Sequence, residues 1–301
     1  MSEQRGVLMF AHNNPEIDYF RVACANALMV QKNLNVPVAI FTDEGTYNWS
    51  VKTLGQEFID KCFKYVIIKD RDYVYQQNNP RTYNDTMFSS KMLPFYNCNH
   101  WMAYNASPFE ETLFIDADYL VMSDTLANCW GSNNDVMINH NIQNLSMLKE
   151  PMRPNIDAFG IKLYWATVIY FKKTEIAEYL FTIVKHVFEN YEFYCQLYLI
   201  PNSMFRNDYA FSIAVHMLNG FSETNISIPQ LPIGSMIMSF DVDDICKVNG
   251  INDITFLIEK PKENGVYLLV RCKDTDVHAM NKWAINRNSN KLIELYEGET
   301  K

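Results

Sequence analysis

The sequence lacks three features that would assign it to a class at once: an excess of basic residues, a membrane-length apolar run and a paired-cysteine motif. Its 26 Lys and Arg against 35 Asp and Glu give a net charge of −9. That balance offers no overall footprint for nucleic acid, although a local basic groove is compatible with it. No apolar run approaches a membrane span, and residues 1–6 lack the apolar core of a signal peptide. The seven cysteines include no Cys-x-x-Cys pair, which favours reduced thiols. We therefore expect a cytoplasmic protein that does not cross a membrane.

Apolar sequence, by contrast, is plentiful: 48% of the 301 residues are hydrophobic, enough for a large core. The first third alternates apolar runs with helical patterns, and we expect strands at 6–11, 36–42 and 64–69 and helices at 17–34 and 58–62. Asn14 and Pro15 are suited to begin the first helix. This order predicts right-handed crossovers and an α/β fold, with helices on both faces of a mostly parallel sheet.

The rest of the chain changes character twice. Segment 71–85 is polar and indicates a loop, and 86–104 indicates a helix interrupted near Pro94. A fourth strand is expected at 112–115, and the second half predicts a strand at 163–171, helices at 174–194 and 206–218, and short strands from 226 onward. No repeat, low-complexity tract or linker divides the chain.

Two aspartates, Asp116 and Asp118, follow directly on the apolar run 112–115. One small residue separates them, and alternation at a strand end can bring both carboxylates over the carboxyl edge of the sheet, where open α/β sheets bind ligands. Such oxygen ligands suit Mg²⁺ or Mn²⁺ held together with substrate phosphates. The pair therefore predicts a site for a metal and a nucleotide diphosphate.

The motif is weak when taken alone, because the same spacing occurs three more times: at Asp70/Asp72, Asp241/Asp243 and Asp274/Asp276. In the first of these pairs, Arg71 lies between the acids and would compete with a cation. The second has no clear strand before it and indicates a solvated turn. The third precedes His278 and could lie near a site. Local pattern favours Asp116 and Asp118 only modestly, and the order of motifs along the chain decides.

Three features follow one another in a fixed order: a Rossmann-like first half, the Asp-x-Asp pair, and a late His278 followed by Lys282 and Trp283. In this order the chain resembles GT-A glycosyltransferases, most closely the retaining glycogenin- and galactosyltransferase-like family. It resembles still more closely members carried by large tailed phages, through four segments: 6–13, 165–171, 206–210 and 278–280. The resemblance covers most of the chain as a series of short motifs, each of low specificity by itself.

The resemblance implies a GT-A (Rossmann-like) fold in a single catalytic domain, 1–301. Its parts would be a nucleotide-binding half at 1–120, a mixed acceptor half at 121–260 and a C-terminal segment at 261–301 that returns to the metal site. The implied activity is metal-dependent, retaining transfer of a hexosyl or pentosyl group from a UDP-sugar to a hydroxyl.

The same resemblance assigns roles to single residues. Asp116, Asp118 and His278 would hold the metal, and the neutral imidazole favours Mn²⁺ over Mg²⁺. Lys282 would neutralise the leaving diphosphate, and Asp208 would lie beside the donor sugar as the best candidate for a group on its face. The alternative interpretation of Asp208 is an acid at a helix N-terminus, where the helix dipole favours it.

The donor itself is expected to contact residues near the strand ends: Ala11, His12, Asn13, Tyr19, Thr42, Asp43, Lys91, Asp116, Ala117 and Lys282. Asp43 could accept from a uracil imide or be an ordinary turn residue. Lys91 could face the donor or be a solvated helix lysine. A strand tryptophan such as Trp165 is more often core than a stacking platform.

The chain departs from the family pattern at two places. Asn281 and Ala284 stand where the family has glycine and lysine, which weakens the role of Lys282. Segment 165–167 replaces the family's Asn-Ala-Gly and leaves the acceptor open.

The tailed-phage resemblance implies a protein of the host cytoplasm and a duplex DNA acceptor containing 5-hydroxymethylcytosine. The net charge of −9 opposes a DNA acceptor, whereas two basic groups favour it: Lys149, Arg153, Lys162, Lys172 and Lys173, and Arg271, Lys273, Lys282, Arg287 and Lys291. The alternatives are a glycan or protein hydroxyl, or a degenerate protein that only binds a nucleotide sugar. A haloacid-dehalogenase-type phosphatase is disfavoured, because its Asp-x-Asp lies near the N-terminus.

Overall fold

The computed structural model describes residues 3–69, 79–86, 88–146, 155–156, 160–200, 204–221, 228–260, 263 and 265–299, with side chains from residue 4 to residue 298. Asp70, Asp72, Lys149 and Arg153 lie outside the described residues.

The strands of the described chain are β1 (Glu3–Phe10), β2 (Val38–Asp43), β3 (Tyr65–Lys69), β4 (Pro80–Thr86), β5 (Ser89–Pro94), β6 (Phe109–Asp116), β7 (Tyr119–Leu120), β8 (Val136–Asn139), β9 (Gln143–Asn144), β10 (Trp165–Lys172), β11 (Ile237–Met238), β12 (Asp244–Gly250), β13 (Asp253–Glu259), β14 (Tyr267–Lys273) and β15 (Val277–His278). The α-helices are α1 (Tyr19–Leu34), α2 (Glu44–Leu54), α3 (Gln56–Cys62), α4 (Ala103–Ala106), α5 (Glu175–Glu189), α6 (Tyr191–Leu197), α7 (Asn207–Leu218) and α8 (Lys282–Glu299). Two 3₁₀ helices span His100–Met102 and Thr125–Cys129. No helix among the described residues is both long and apolar enough to cross a membrane.

A six-stranded sheet in the order β3-β2-β1-β6-β10-β8 lies at the centre of the molecule. β1 pairs in parallel with β2 and β6, β2 pairs in parallel with β3, and β10 pairs antiparallel with both β6 and β8. Five strands therefore run one way and β10 runs the other way. The central strands are apolar on both faces, as buried parallel strands are. The expected α/β class with a mostly parallel sheet is confirmed.

The order of the strands creates one switch point in the sheet. From β1 the chain moves outward to β2 and β3, and it then returns to place β6 on the other side of β1. The carboxyl ends of β1 and β6 are neighbours there, since Phe10 pairs with Asp116. Because β10 runs antiparallel to β6, its first residues, Trp165 to Thr167, reach the same edge. Ligands of open α/β sheets bind at such a point.

A small second sheet, β7-β15-β11-β9, joins the end of the chain to this edge. His278 pairs with Tyr119, and the N–H of Ala279 donates to the carbonyl of Asp118 at 2.9 Å. On its other side β15 pairs with β11. This backbone pairing carries His278 to the Asp-x-Asp pair from a distant part of the sequence.

Three expectations about local structure are wrong. The described parts of 71–85 and 86–94 form a β4–β5 hairpin, not a loop and the start of a broken helix. Helix is confined there to His100–Met102 and Ala103–Ala106. The end of the chain is the 18-residue helix α8, where short strands were expected. α8 is rich in asparagine, which has low helix propensity, and it packs against α1, β4 and β12.

Helix starts and stops also differ from expectation. α1 begins at Tyr19 with Asp18 as its N-cap, and the Asp18 side chain accepts from the N–H of Arg21. The Asn14 side chain instead accepts from the N–H groups of Glu16 and Ile17. The helix expected at 174–194 is divided at Asn190.

Gly6 shows how closely β1 and β6 approach. A Cβ at this position would overlap the ring of Phe109, a fully buried side chain with little room to move. We expect Gly6→Ala to lower the free energy of unfolding by about 1–3 kcal/mol, the usual cost of overpacking. Gly298→Ala is the matched control, since it meets open space in α8. Urea denaturation of both variants measures the difference, and equal stabilities would contradict the packing argument.

Asp243 was expected in a solvated turn, but it is only 3% exposed. Burial raises its pKa from 3.8 to about 6, although the N–H of Phe240 donates to it. Between these two values the folded protein binds a proton that the unfolded chain has lost, so the ionised carboxylate lowers stability as the pH rises from 4 to 6. Asp243→Asn removes the ionisable group and with it this pH-dependent loss of stability. We expect the variant to gain up to about 3 kcal/mol relative to the parent over that interval, measured by urea denaturation at several pH values. A pH-independent difference between the two proteins would refute this explanation.

Candidate active site

A pocket of about 100 Å³ opens at the switch point. Eight of the residues expected in the site line it: His12, Tyr19, Asp116, Ala117, Asp118, Asp208, His278 and Lys282. Ala11, Asn13, Thr42, Asp43 and Lys91 do not line it. The structure therefore brings the proposed metal ligands and the proposed catalytic residues together, and it leaves five of the expected nucleotide contacts outside the pocket lining.

The two aspartates of the motif have different surroundings. Burial raises the pKa of Asp116 well above its usual value, and the nearby charge of Asp118 raises it further. Burial would also raise the pKa of Asp118, but the Lys282 ammonium and His278 outweigh it and hold this pKa below its usual range. Asp118 is therefore the carboxylate that stays ionised, and Asp116 is the one that most needs a cation.

His278 completes a set of possible metal ligands. Asp116, Asp118 and His278 each offer one ligand atom, and these atoms lie within 4.8 Å of one another. His278 Nε2 lies 3.3 Å from an oxygen of Asp118, and its Nδ1 lies 3.3 Å from the Thr167 hydroxyl, which can orient the ring. Burial lowers the pKa of His278, so the ring is neutral as a metal ligand must be.

These residues fit a divalent cation on an observation of their own. Asp116 Oδ1 and His278 Nε2 are buried without a hydrogen-bond partner among the described residues. Buried polar atoms without partners are costly, and a divalent cation would satisfy both atoms. Two carboxylates and a neutral imidazole form a donor set that suits Mn²⁺ better than Mg²⁺.

Lys282 is the cation that contacts this cluster in the structure. Its Nζ forms an ion pair with Asp118 and donates to the carbonyl of Ala279 at 3.2 Å. It is the first residue of α8, so the turn after β15 brings it directly over the aspartates. An ammonium and a metal would have to share the carboxylate of Asp118.

His100 was not expected in the site. It lies on a 3₁₀ helix between the rings of Phe10 and Phe114, with its Nε2 3.3 Å from Asp116 Oδ1. Burial lowers its pKa to about 3, so the ring is neutral beside Asp116. No local sequence pattern indicates this position, because the element that carries it was expected to be an ordinary helix.

Asp208 lines the pocket in the first turn of α7, where both of its oxygens have partners. Oδ1 accepts from the N–H of Ala166 at 2.9 Å, and Oδ2 lies 3.1 Å from Arg206. These contacts fix the start of β10 against α7. They also leave the carboxylate facing the pocket in a defined position.

The end of β1 supplies one side of the pocket through His12 and Tyr19. His12 Nδ1 lies 3.3 Å from Asp43, and burial lowers the pKa of His12. Asp43 is the N-cap of α2 and accepts from both the N–H and the hydroxyl of Thr46. It thus serves as a helix cap that also holds His12.

The remaining expected contacts have structural partners. The Thr42 hydroxyl donates to the carbonyl of Ala11 at 2.7 Å. The Asn13 side chain donates to Asp18 and accepts from the N–H of Phe20. These three residues hold the chain that leads from β1 into α1.

Lys91 lies on β5, not on a helix, and its side chain is 55% exposed in an ion pair with Glu16. The cation on the pocket side of the hairpin is Arg81. Its guanidinium lies 3.4 Å from the centroid of the Phe95 ring and donates to the carbonyl of Phe205. Sequence reasoning missed Arg81 because the polar segment that carries it gave no strand pattern.

Comparisons with known proteins add limited information. No protein-family model matches the chain, and no curated protein matches it. Among solved structures, the galactosyltransferase LgtC with donor and acceptor sugar analogs is 13% identical, with 71% of this chain and 69% of that chain covered and a TM-score of 0.43. The apo-form glycosyltransferase GlyE of Streptococcus pneumoniae is 10% identical (77% and 46% covered, TM-score 0.38), and the PaToxG glycosyltransferase is 14% identical (71% and 69% covered, TM-score 0.36). At these values the likenesses carry no argument about the chemistry of this chain.

The contact between Lys282 and Asp118 predicts competition with a metal. Lys282→Met keeps the length of the side chain and removes the charge that would repel a divalent cation. We expect Mn²⁺ to bind this variant roughly tenfold more tightly than the parent when no nucleotide is present. Calorimetric titration with MnCl₂ measures the change, and Lys91→Met, which removes an exposed lysine of the hairpin, is the control. Weaker or unchanged binding in Lys282→Met would show that the two cations do not compete.

Proposed function

We propose that the protein is an enzyme that transfers a sugar from a UDP-sugar to a hydroxyl group, with the help of a divalent metal. The observation that carries this proposal is the convergence of Asp116, Asp118, His278 and Lys282 in one pocket at the switch point of the sheet. A cluster of acids, a neutral histidine and a lysine at one pocket suits a nucleotide diphosphate and its metal. We propose a single catalytic domain, with the donor held by 1–120, the acceptor by 121–260 and the metal site completed by 261–301.

In the proposed reaction, the bond between the anomeric carbon and the diphosphate oxygen breaks, and the electron pair leaves with the diphosphate. The acceptor hydroxyl oxygen bonds to the anomeric carbon, and its proton passes to the departing diphosphate. Lys282, released from Asp118, stabilises the charge on the leaving group. Asp208 faces the same space and is the proposed group beside the donor sugar. Retention of the anomeric configuration rests on the family resemblance.

The metal proposed here is Mn²⁺, or Mg²⁺ as the second choice. When bound, it would supply a positive charge that stabilises the leaving diphosphate. Asp116, Asp118 and His278 would hold it, and Thr167 would keep the His278 ring in place. On the nucleotide side, His12 and Tyr19 are the expected residues with access to the pocket.

A duplex DNA acceptor containing 5-hydroxymethylcytosine, in a phage-infected cytoplasm, stays a prediction from resemblance. Lys172, one of the lysines that favour a DNA acceptor, lies away from the pocket. In the β10–β6 pairing it is opposite Glu111, near the start of β6, whereas Asp116 is at the end of that strand. Lys172 and Lys173 also donate to backbone carbonyls. Arg271 and Arg287 form ion pairs with aspartates. These contacts reduce the charge available to phosphates, and they favour the alternative of a glycan or protein hydroxyl.

The decisive test is donor hydrolysis. Incubation with UDP-glucose, UDP-galactose or UDP-N-acetylglucosamine should release UDP slowly, and only when Mn²⁺ is present. We expect Asp118→Asn to reduce this rate by at least a hundredfold, roughly the loss of one strong charged contact in a transition state. Asp274→Asn is the control, because it changes an exposed acid of another Asp-x-Asp pair. Circular dichroism verifies that both variants are folded. Phosphate release from a monoester would instead identify a phosphatase, and UDP binding without hydrolysis would identify a binding protein.

A further inference from the structure

A second pocket, of about 400 Å³, lies beside the candidate active site. It opens between the start of β10, the start of α7 and the segment that precedes β12. Trp165, Arg206 and Met280 line both pockets. A molecule in the second pocket is therefore separated from the proposed donor site only by these shared side chains.

The wall of the second pocket combines aromatic surface with a few polar groups. Trp165, Tyr209 and Phe240 contribute rings, and Arg206 and Asp241 contribute charge. Aromatic faces bind the apolar face of a flat or ring-shaped ligand. A carboxylate accepts from hydroxyl groups, and a guanidinium donates to oxygen atoms. Together these groups suit a ring that has one apolar face and hydroxyls at its edge.

Two hydrogen-bond donors at the shared wall indicate a ligand independently. Trp165 is only 7% exposed, and its Nε1 has no hydrogen-bond partner among the residues that the structure describes. The Nε of Arg206 is likewise buried without a hydrogen-bond partner among the described residues, although the NH2 group of Arg206 donates to Asp208. A buried N–H without a partner costs free energy, so ligand oxygens that accept from these two groups would be bound favourably.

Charge around the second pocket distinguishes between classes of ligand. Asp241 is exposed at its rim and accepts from the side chain of Asn84 at 2.5 Å. The cations around it are already paired: Arg206 in its wall with Asp208, and Lys282 and Arg287 of α8 with aspartates. A polyanion would meet the negative charge of Asp241 while these cations are already paired, whereas a neutral ligand would gain an acceptor for its hydroxyls.

We infer that the second pocket binds the acceptor of the proposed transfer, and that this acceptor is a neutral sugar ring, as at the end of a glycan. The ring lies against Trp165 and Phe240, Asp241 accepts from its hydroxyls, and one further hydroxyl extends past Trp165 and Met280 to the anomeric carbon of the donor. This inference rests on the proposed function and names the substrate class of its second site. The oxygen of this sugar hydroxyl bonds to the anomeric carbon, the bond to the diphosphate breaks, and the hydroxyl proton passes to the departing diphosphate.

The first measurement compares acceptors directly. The full chain, Mn²⁺ and each UDP-sugar are incubated with methyl glycosides of glucose, galactose, mannose and N-acetylglucosamine, and in parallel with duplex DNA that contains 5-hydroxymethylcytosine. Mass spectrometry detects the added sugar. We expect transfer to at least one methyl hexoside and none to the duplex.

The second measurement tests the pocket through two variants. Phe240→Ala removes an aromatic face, and Asp241→Asn removes a charged acceptor at an exposed position where folding is not at risk. We expect each to raise KM for the methyl hexoside at least tenfold, while the Kd for UDP stays within twofold. The matched controls are Phe193→Ala, an exposed aromatic on α6, and Asp60→Asn, an exposed acid on α3. Neither control should change KM.

The outcomes separate this inference from the proposed function. Hydrolysis of a UDP-sugar without transfer to any hexoside, or transfer to the duplex alone, would overturn the sugar-acceptor assignment and leave the glycosyltransferase standing. Unchanged KM in both pocket variants would overturn the location. If no nucleotide sugar is turned over at all, the proposed function fails. Saturation-transfer NMR of the hexosides with the UDP-loaded protein then decides the binding inference alone, and no signal would overturn it.

Discussion

The candidate site depends on one short stretch of backbone pairing, between Tyr119–Leu120 and Val277–His278. The N–H of Ala279 continues it by donating to the carbonyl of Asp118. Backbone pairing fixes where each side chain points, so it sets the imidazole of His278 beside the carboxylate of Asp118 before any ligand arrives. Helix α8 begins four residues after His278 and packs on α1, and this packing holds the closing segment in place. Without the pairing, Asp116 and Asp118 would be two buried like charges that lack His278 and Lys282 as neighbours.

The sequence predicts five of the six central strands, because they are runs of apolar residues too short to be helices, and it misses the four-residue β8. The direction of β10 is a different matter. Its apolar run looks like that of any buried strand, and nothing in that run shows that it pairs antiparallel with β6 and β8. The β4–β5 hairpin was missed for a related reason. Its strands are polar and half-exposed, so no alternating pattern marks them. Helix α8 was missed because tertiary packing, rather than propensity, stabilises it.

The residues of the candidate site were predicted only where a predicted strand or the ordered motifs carry them. Residues that follow buried strands, Asp116 and Asp118, could be found from pattern, and the ordered motifs added His278 and Lys282. Arg81 and His100 arrive on elements whose structure the sequence did not reveal, so nothing local could indicate them. Asp43 was expected in the site but has a structural role. Reasoning from strand ends placed it at the correct edge of the sheet, but its carboxylate is occupied by the start of α2 and by His12.

The reversed direction of β10 affects which parts of the sequence can vary independently. The chain enters this strand at the edge that holds the pocket, so the segment leading to Trp165 contributes directly to the second pocket. The parallel strands β1, β2 and β6 are built from separate connections and keep their register whatever precedes Trp165. Insertions or exchanges in that leading segment can therefore reshape the second pocket without disturbing the cluster of Asp116, Asp118 and His278. The two pockets are, in this sense, free to diverge at different rates.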